Sequence, residues 1–118
     1  NPKAKILADT LDTAIEGVLK NGKSPMRKVG QLDNRGSHFY LAMYWANELA
    51  SQTEDAALKA TFEKVFADMK TQENDIVSEL NNVQGRAEDV DGYYFPDPES
   101  TFKAMRPSET LNDIVDSL

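Results

Sequence analysis

The chain has 118 residues, which suits one domain with a modest hydrophobic core, and its composition is that of a folded protein rather than a disordered one. It contains no cysteine, which excludes disulfide bonds and a thiolate zinc site and fits a reducing, cytoplasmic setting. The net charge of -7 argues against a nucleic-acid binder, and the apolar runs are too short to span a membrane.

The first two predicted helices flank a loop rich in glycine and basic residues. Asn1 can cap a helix that starts with Pro2, and Asn21-Gly22 supplies a left-handed stop after an apolar stripe of helical spacing. A second helix is predicted to start between Asn34 and Ser37 and to end near Gln52. Apolar residues cover nearly all of its faces, so we expect neighbours on most sides, including packing partners outside this chain.

The remaining pattern predicts one long helix and two short ones, with no convincing strand. The long helix is capped by Thr53 or Asp55 and reaches Gln84, with a bend near Thr71 or Asn74. Residues 86–96 form an irregular segment whose three consecutive aromatics are expected to pin it to the helices. A short helix then follows Asp97-Pro98 to about Arg106, and a last amphipathic one starts near Ser108. The fold class is therefore all-α, with four to five helices.

The candidate metal and catalytic groups are weak. His38 is the only histidine and has no carboxylates at matched spacing, so we interpret it as a helix-start residue bonded to the backbone. The run Asp89-Val90-Asp91-Gly92 lacks the later ligands and the closing glutamate of a calcium loop. The sequence therefore predicts no metal ligand and no catalytic residue within this chain.

Residues 20–40 form a basic stretch in an acidic protein. Five cations and one carboxylate give this stretch a charge of +4, so the rest of the chain carries -11. Backbone N–H groups near Gly30 and Gly36, a helix start and two arginines are suitable groups for binding a phosphate. The alternative is that these cations pair with the acidic helices of the protein itself.

Four segments carry a resemblance to a known family: GKSPMRKVGQLDNRGSHFYLAMYWANELASQTEDA, NNVQG, GYYFPDPE and MRPSETLN. Together they resemble the C-terminal end of the monomeric-type NADP-dependent isocitrate dehydrogenases, over essentially the whole chain. The resemblance implies that residues 1–118 are the C-terminal helical portion of a domain completed by upstream segments missing here, in a larger two-domain α/β enzyme. It also implies oxidative decarboxylation of isocitrate to 2-oxoglutarate and CO2, with NADP as hydride acceptor and Mg or Mn as Lewis acid. This reaction belongs to the tricarboxylic acid cycle and the glyoxylate bypass, and the parent enzyme would be a monomer.

The resemblance also implies one site residue here. An arginine of the SP-x-RKVG block helps to hold the 2′-phosphate of NADP in this family, and it corresponds to Arg27. Lys28 and Arg35 are second candidates. The metal ligands, substrate arginines and catalytic lysine and tyrosine of the family belong to earlier segments, so we expect the isolated chain to be inactive.

Two other functions remain open from the residues alone. A non-enzymatic helical module would dock a partner protein through its amphipathic helices. A nucleic-acid binder using the basic loop would show strongly salt-dependent affinity. The apolar second helix also predicts that the isolated chain self-associates.

Overall fold

The computed structural model describes residues 1–84 and 98–118, and these residues form α-helices without any strand. The helices are α1 (Pro2–Lys20), α2 (Asn34–Ser51), α3 (Ala56–Thr71), α4 (Glu73–Asn82), α5 (Pro98–Met105) and α6 (Glu109–Asp116). The all-α prediction is confirmed. Six helices form in the described part because the predicted long third helix is divided in two. The predictions for the aromatics of 86–96, for Asp97 and for the run 89–92 lie outside the described residues.

Helix α1 begins and ends where its capping residues predict. The Asn1 side chain accepts a hydrogen bond from the Lys3 N–H at 3.0 Å. At the other end, Gly22 has a φ of 66°, and the Lys23 N–H donates to the Val18 carbonyl at 2.9 Å. This left-handed closure satisfies a carbonyl that the helix leaves free and turns the chain into the basic loop.

Helix α2 is the centre of the fold, between α1 and α3. Its inner residues Phe39, Tyr40 and Met43 are buried in the main hydrophobic cluster with residues of α3, α4 and α6. The large apolar side chains that remain exposed lie on α1, the basic loop, α5 and α6 and at the C-terminus, and none of those described lies on α2. Neighbouring helices of the same chain therefore bury the inner residues of α2, and the expectation that this helix also has packing partners outside this chain stays a prediction.

The division between α3 and α4 falls at Gln72, between the two residues predicted as bend positions. The Gln72 N–H caps α3 by donating to the Asp68 carbonyl at 3.1 Å, and its own carbonyl accepts from Ile76 at 3.0 Å in α4. Next to the break, Glu73 accepts hydrogen bonds from the Tyr40 hydroxyl at 2.7 Å and from Lys70 at 2.9 Å. The bond from Tyr40 ties the break to α2, so a tertiary contact holds the bend in place.

Helix α6 is fixed to α4 by one carboxylate. Ser108 caps α6 by accepting from the Leu111 N–H at 3.1 Å, and its buried hydroxyl donates to Glu79 at 3.0 Å. Thr110 donates to the same carboxylate through both its N–H and its hydroxyl. The start of α6 is thereby held against the side of α4.

Candidate functional site

The basic loop between α1 and α2 is folded onto itself. The Met26 N–H donates to the Leu32 carbonyl at 2.6 Å, and the Gln31 N–H donates to the Lys28 carbonyl at 3.2 Å. Gly30 has a φ of 89°, a conformation that glycine adopts without strain. These bonds close a compact loop.

One distant side chain anchors the tip of the loop. The Gln84 amide oxygen accepts from the Gly30 N–H at 2.8 Å, and its nitrogen donates to the Gln31 carbonyl and, at 2.9 Å, to Asn81. The sequence pattern predicts only that the long helix ends at Gln84. It does not predict the contact with Gly30, because the two residues are 54 positions apart.

The backbone donors that the sequence assigned to anion binding are occupied. The Gly30 N–H is bound by Gln84, and the Gly36 N–H donates to the Asp33 carboxylate at 3.0 Å. Asp33 is the N-cap of α2 and already places a negative charge at that helix start. In this structure, these two N–H groups are therefore not free to donate to a phosphate.

All three nitrogens of the Arg35 guanidinium donate hydrogen bonds within the chain. Its Nε and Nη2 atoms donate to the Asp33 carboxylate at 3.1 and 3.0 Å, and Nη1 donates to the Ala104 carbonyl at 2.9 Å. Its side chain is only 18% exposed. Arg35 therefore joins the start of α2 to α5, and its ionic partner is the carboxylate within the basic stretch rather than an acidic helix.

Arg27 and Lys28 are in a different position from Arg35. Both are exposed, and neither side chain makes an ion pair or hydrogen bond within the described residues. They line a shallow depression of about 210 Å³ together with Met26, Val29, Asp33, Arg35 and Gln84. Three cations and one carboxylate give this lining a net charge of +2. An anion that enters the depression can bind Arg27 and Lys28 without breaking an existing contact.

The other two cations of the stretch lie at its beginning. Lys20 is in the last turn of α1, where a positive charge meets the negative end of the helix dipole. The Lys23 ammonium lies 4.4 Å from the centre of the Tyr40 ring, a cation–π contact. The nearby Glu73 has a lowered pKa, caused first by its hydrogen bond from Lys70 and also by the charge of Lys23. Lys23 therefore contributes to the packing of the loop on α2.

His38 lies where the sequence placed it, at the start of α2. Its Nδ1 atom donates to the Asn34 carbonyl at 2.6 Å, because a carbonyl can only accept. The prediction of a backbone-bonded histidine is confirmed.

The described residues contain neither a metal-binding cluster nor a membrane-spanning helix. Within residues 1–84 and 98–118, no group of three or more His, Asp or Glu side chains is arranged to hold a metal ion. Among the same residues, no helix combines the length and the hydropathy needed to cross a membrane.

Comparison with known proteins identifies the family. The sequence profile described as "Monomeric isocitrate dehydrogenase" matches residues 1–116. The chain is 58% identical over 118 residues to "Isocitrate dehydrogenase [NADP] 2" of Colwellia maris, covering 100% of this chain and 16% of that protein. It is 54% identical over 112 residues to "Isocitrate dehydrogenase [NADP]" of Azotobacter vinelandii, covering 95% of this chain and 15% of the relative. The chain thus spans about one-sixth of these relatives, and it belongs to the monomeric isocitrate dehydrogenase family.

Proposed function

We propose that this chain is the C-terminal portion of an NADP-dependent isocitrate dehydrogenase that converts isocitrate and NADP to 2-oxoglutarate, CO2 and NADPH. The family match over residues 1–116 supports this proposal, and so do the names of relatives that are 53–58% identical. These findings favour the enzyme over a non-enzymatic interaction module. We further propose that the parent enzyme is a cytoplasmic monomer of the tricarboxylic acid cycle and the glyoxylate bypass.

Within that enzyme, we assign Arg27 to the 2′-phosphate of NADP. The observation that carries this assignment is the exposed guanidinium of Arg27, without a partner in the described residues, on a loop that Gln84 holds in place. A planar guanidinium donates two parallel hydrogen bonds to a phosphate dianion, and NAD has no phosphate at this position. Charge-assisted bonds of this kind contribute about 1.5–3 kcal/mol, which corresponds to a preference of roughly 10- to 100-fold for NADP.

Lys28 and Arg35 are second candidates with different abilities. Lys28 is adjacent to Arg27 and is also exposed, but its ammonium acts as a point charge without directional pairing. Arg35 lines the same depression, but three of its nitrogens already donate to Asp33 and Ala104. We therefore assign Arg35 chiefly to holding the loop and Arg27 to binding.

The rest of the chemistry belongs to other parts of the parent chain. NADP supplies hydride acceptance and Mg or Mn supplies Lewis-acid stabilisation when bound, and the described residues offer no cluster for the metal. We therefore expect the isolated 118-residue chain to be inactive. Reduction of NADP above the blank rate by this chain with isocitrate and Mn would contradict that expectation.

The decisive experiment places this chain in a complete enzyme. The residues of the Colwellia maris protein that match it, at 58% identity, are replaced by this sequence to give a full-length hybrid. Arg27→Ala should raise KM for NADP roughly 10- to 100-fold and leave kinetics with NAD unchanged. Lys64→Ala is the control, because it removes an exposed positive charge on α3, outside the depression. Equal effects on NADP and NAD, or no effect at all, would reject the assignment.

Calorimetry on the isolated chain tests the site without the rest of the enzyme. We expect weak binding of NADP that NAD lacks and that Arg27→Ala abolishes. Binding of both cofactors with equal affinity would mean that the depression does not recognise the 2′-phosphate.

A further inference from the structure

Two depressions with mainly apolar linings share the residue His38. The larger is a groove of about 530 Å³ between α2 and α6, and Ala42, Leu80, Leu111 and Val115 are among its lining residues. The smaller, about 110 Å³, lies between α1 and α2. His38 lines both, and we group residues of the two depressions under the name His38 face: Ile15, Leu19, His38, Leu41, Met105, Leu111 and Val115.

Large apolar side chains of this face are exposed to solvent in the described structure. Leu19 is 68% exposed and Met105 is 64% exposed, and Ile15 and Val115 are also exposed. Exposed apolar surface costs about 25 cal/mol per Å², and contiguous patches of it on soluble proteins mark contact surfaces. The His38 face therefore has the character of an interface without its partner.

The position of the face relative to the basic depression indicates what covers it. Arg35 lines both the large groove and the depression that holds Arg27 and Lys28. That depression is shallow and supplies only one side of a binding site. A segment seated in the groove would reach Arg35, which also lines the basic depression, where the proposed cofactor site needs further residues.

We propose that the His38 face is the contact surface for the rest of the parent chain, through an apolar segment outside these 118 residues. The inference rests on one part of the proposed function, that this chain is a portion of a longer protein, since it covers only 16% of the Colwellia maris relative. A second copy of this chain fits less well, because each copy carries a net charge of -7 and two copies repel each other.

The absence of cysteine from this chain allows a direct test by thiol labelling. Leu19→Cys and Met105→Cys are made separately in the isolated chain and in the full-length hybrid, and maleimide labelling is followed peptide by peptide with mass spectrometry. Ala60→Cys is the matched control, because Ala60 is exposed on α3 beside the charged residues Lys59, Glu63 and Lys64. Labelling at positions 19 and 105 should be at least about 10-fold slower in the hybrid than in the isolated chain, whereas position 60 should label equally in both.

Several results would overturn the proposal. Equal labelling of positions 19 and 105 in both contexts would show that the parent leaves the face open. If position 60 were protected in the hybrid as strongly as positions 19 and 105, the protection would not be specific to the His38 face. Protection in the isolated chain that rises with protein concentration would assign the face to a second copy instead.

Activity of the same hybrid separates this inference from the proposed function. An active hybrid with an open face rejects the inference alone. An inactive hybrid with a protected face supports the inference and rejects the proposed function. An inactive hybrid with an open face rejects both.

Discussion

Replacement of Glu79 by alanine is expected to detach the start of α6 from α4 and to destabilise the whole chain. The Glu79 carboxylate accepts from the Ser108 hydroxyl at 3.0 Å, from the Thr110 N–H at 3.1 Å and from the Thr110 hydroxyl. It also places a negative charge at the N-terminus of α6, where the helix dipole favours one. Alanine would remove all of these contacts and leave the Ser108 hydroxyl, in a residue only 1% exposed, without an acceptor for its proton.

The expected loss follows from these contacts. A hydrogen bond to a charged group contributes about 1.5–3 kcal/mol alone, but bonds that share one carboxylate are not additive, so we expect about 2–3 kcal/mol in total. For a chain of this size, that corresponds to a fall in Tm of roughly 10 °C. The single tryptophan, Trp45, lies on α2 and donates to Thr10 of α1 at 3.0 Å, so its fluorescence reports unfolding of the central helices.

Glu63→Ala is the matched control for Glu79→Ala in urea unfolding at pH 7. Glu63 is a helix glutamate whose contact is a surface pair with Lys59 at 3.3 Å, and its side chain is 56% exposed. Such pairs contribute about 0.5 kcal/mol or less. If Glu79→Ala cost no more than Glu63→Ala, the carboxylate would not be holding α6, and the reasoning would fail.

The pH dependence supplies a second test of the same contact. Burial opposes ionisation of Glu79, but hydrogen bonds from Thr110, from the Glu109 N–H and from Ser108 outweigh it and lower the pKa of the carboxyl. A pKa below the ordinary value of 4.5 means that the contribution is fully present above that pH and is lost as the pH falls through the lowered value. The stability difference between the natural chain and Glu79→Ala should therefore be full at pH 7 and should shrink progressively below pH 4.5. A difference that stays constant down to pH 3 would contradict the ionised carboxylate as its source.

Three further substitutions test the basic loop and the end of α1. Gln84→Ala should raise the hydrogen-exchange rate of the Gly30 amide at least about 10-fold, because that N–H loses its acceptor, with no change in the core of α2. Gly22→Ala should lower the free energy of unfolding by about 1 kcal/mol, since its φ of 66° is strained for alanine. Gly17→Ala should raise the free energy of unfolding by about 0.5–1 kcal/mol, because alanine has a higher helix propensity than glycine. The new Cβ would meet the Tyr44 ring at 3.4 Å, an ordinary contact. Urea midpoints that shift in the same direction for both glycines would contradict this interpretation.

The helix boundaries were predictable because short-range chemistry sets them. Asn1, Asp55 and Ser108 each accept a hydrogen bond from an N–H two or three residues ahead, so the capping residue and the helix start lie together in the sequence. The stop at Gly22 is equally local. These features need no knowledge of the tertiary fold.

The arrangement of the helices was less predictable because it depends on contacts between distant residues. The sequence predicted a bend near Thr71 or Asn74, but it did not predict the contact of Tyr40 with Glu73 across 33 positions that accompanies this bend. Likewise, the pattern of α2 shows that it needs neighbours but does not show which ones. The structure supplies them from α1 and α3, and it places the uncovered apolar surface elsewhere, at Leu19 and Met105.

The candidate site shows why a charge count misjudges a basic surface. Arg27 and Arg35 are the same residue type, eight positions apart, and contribute equally to the charge of +4 on this stretch. In the structure, Asp33 and the Ala104 carbonyl take up donors of Arg35, whereas Arg27 has no such partner in the described residues. The difference between the two arginines depends on the partners of Arg35, and one of these, Ala104, is 69 positions away in the sequence. Resemblance to the family selects Arg27 by its motif, and in the structure a phosphate could bind this exposed side chain without displacing a contact in the described residues, so the assignment stays a prediction that the hybrid enzyme tests.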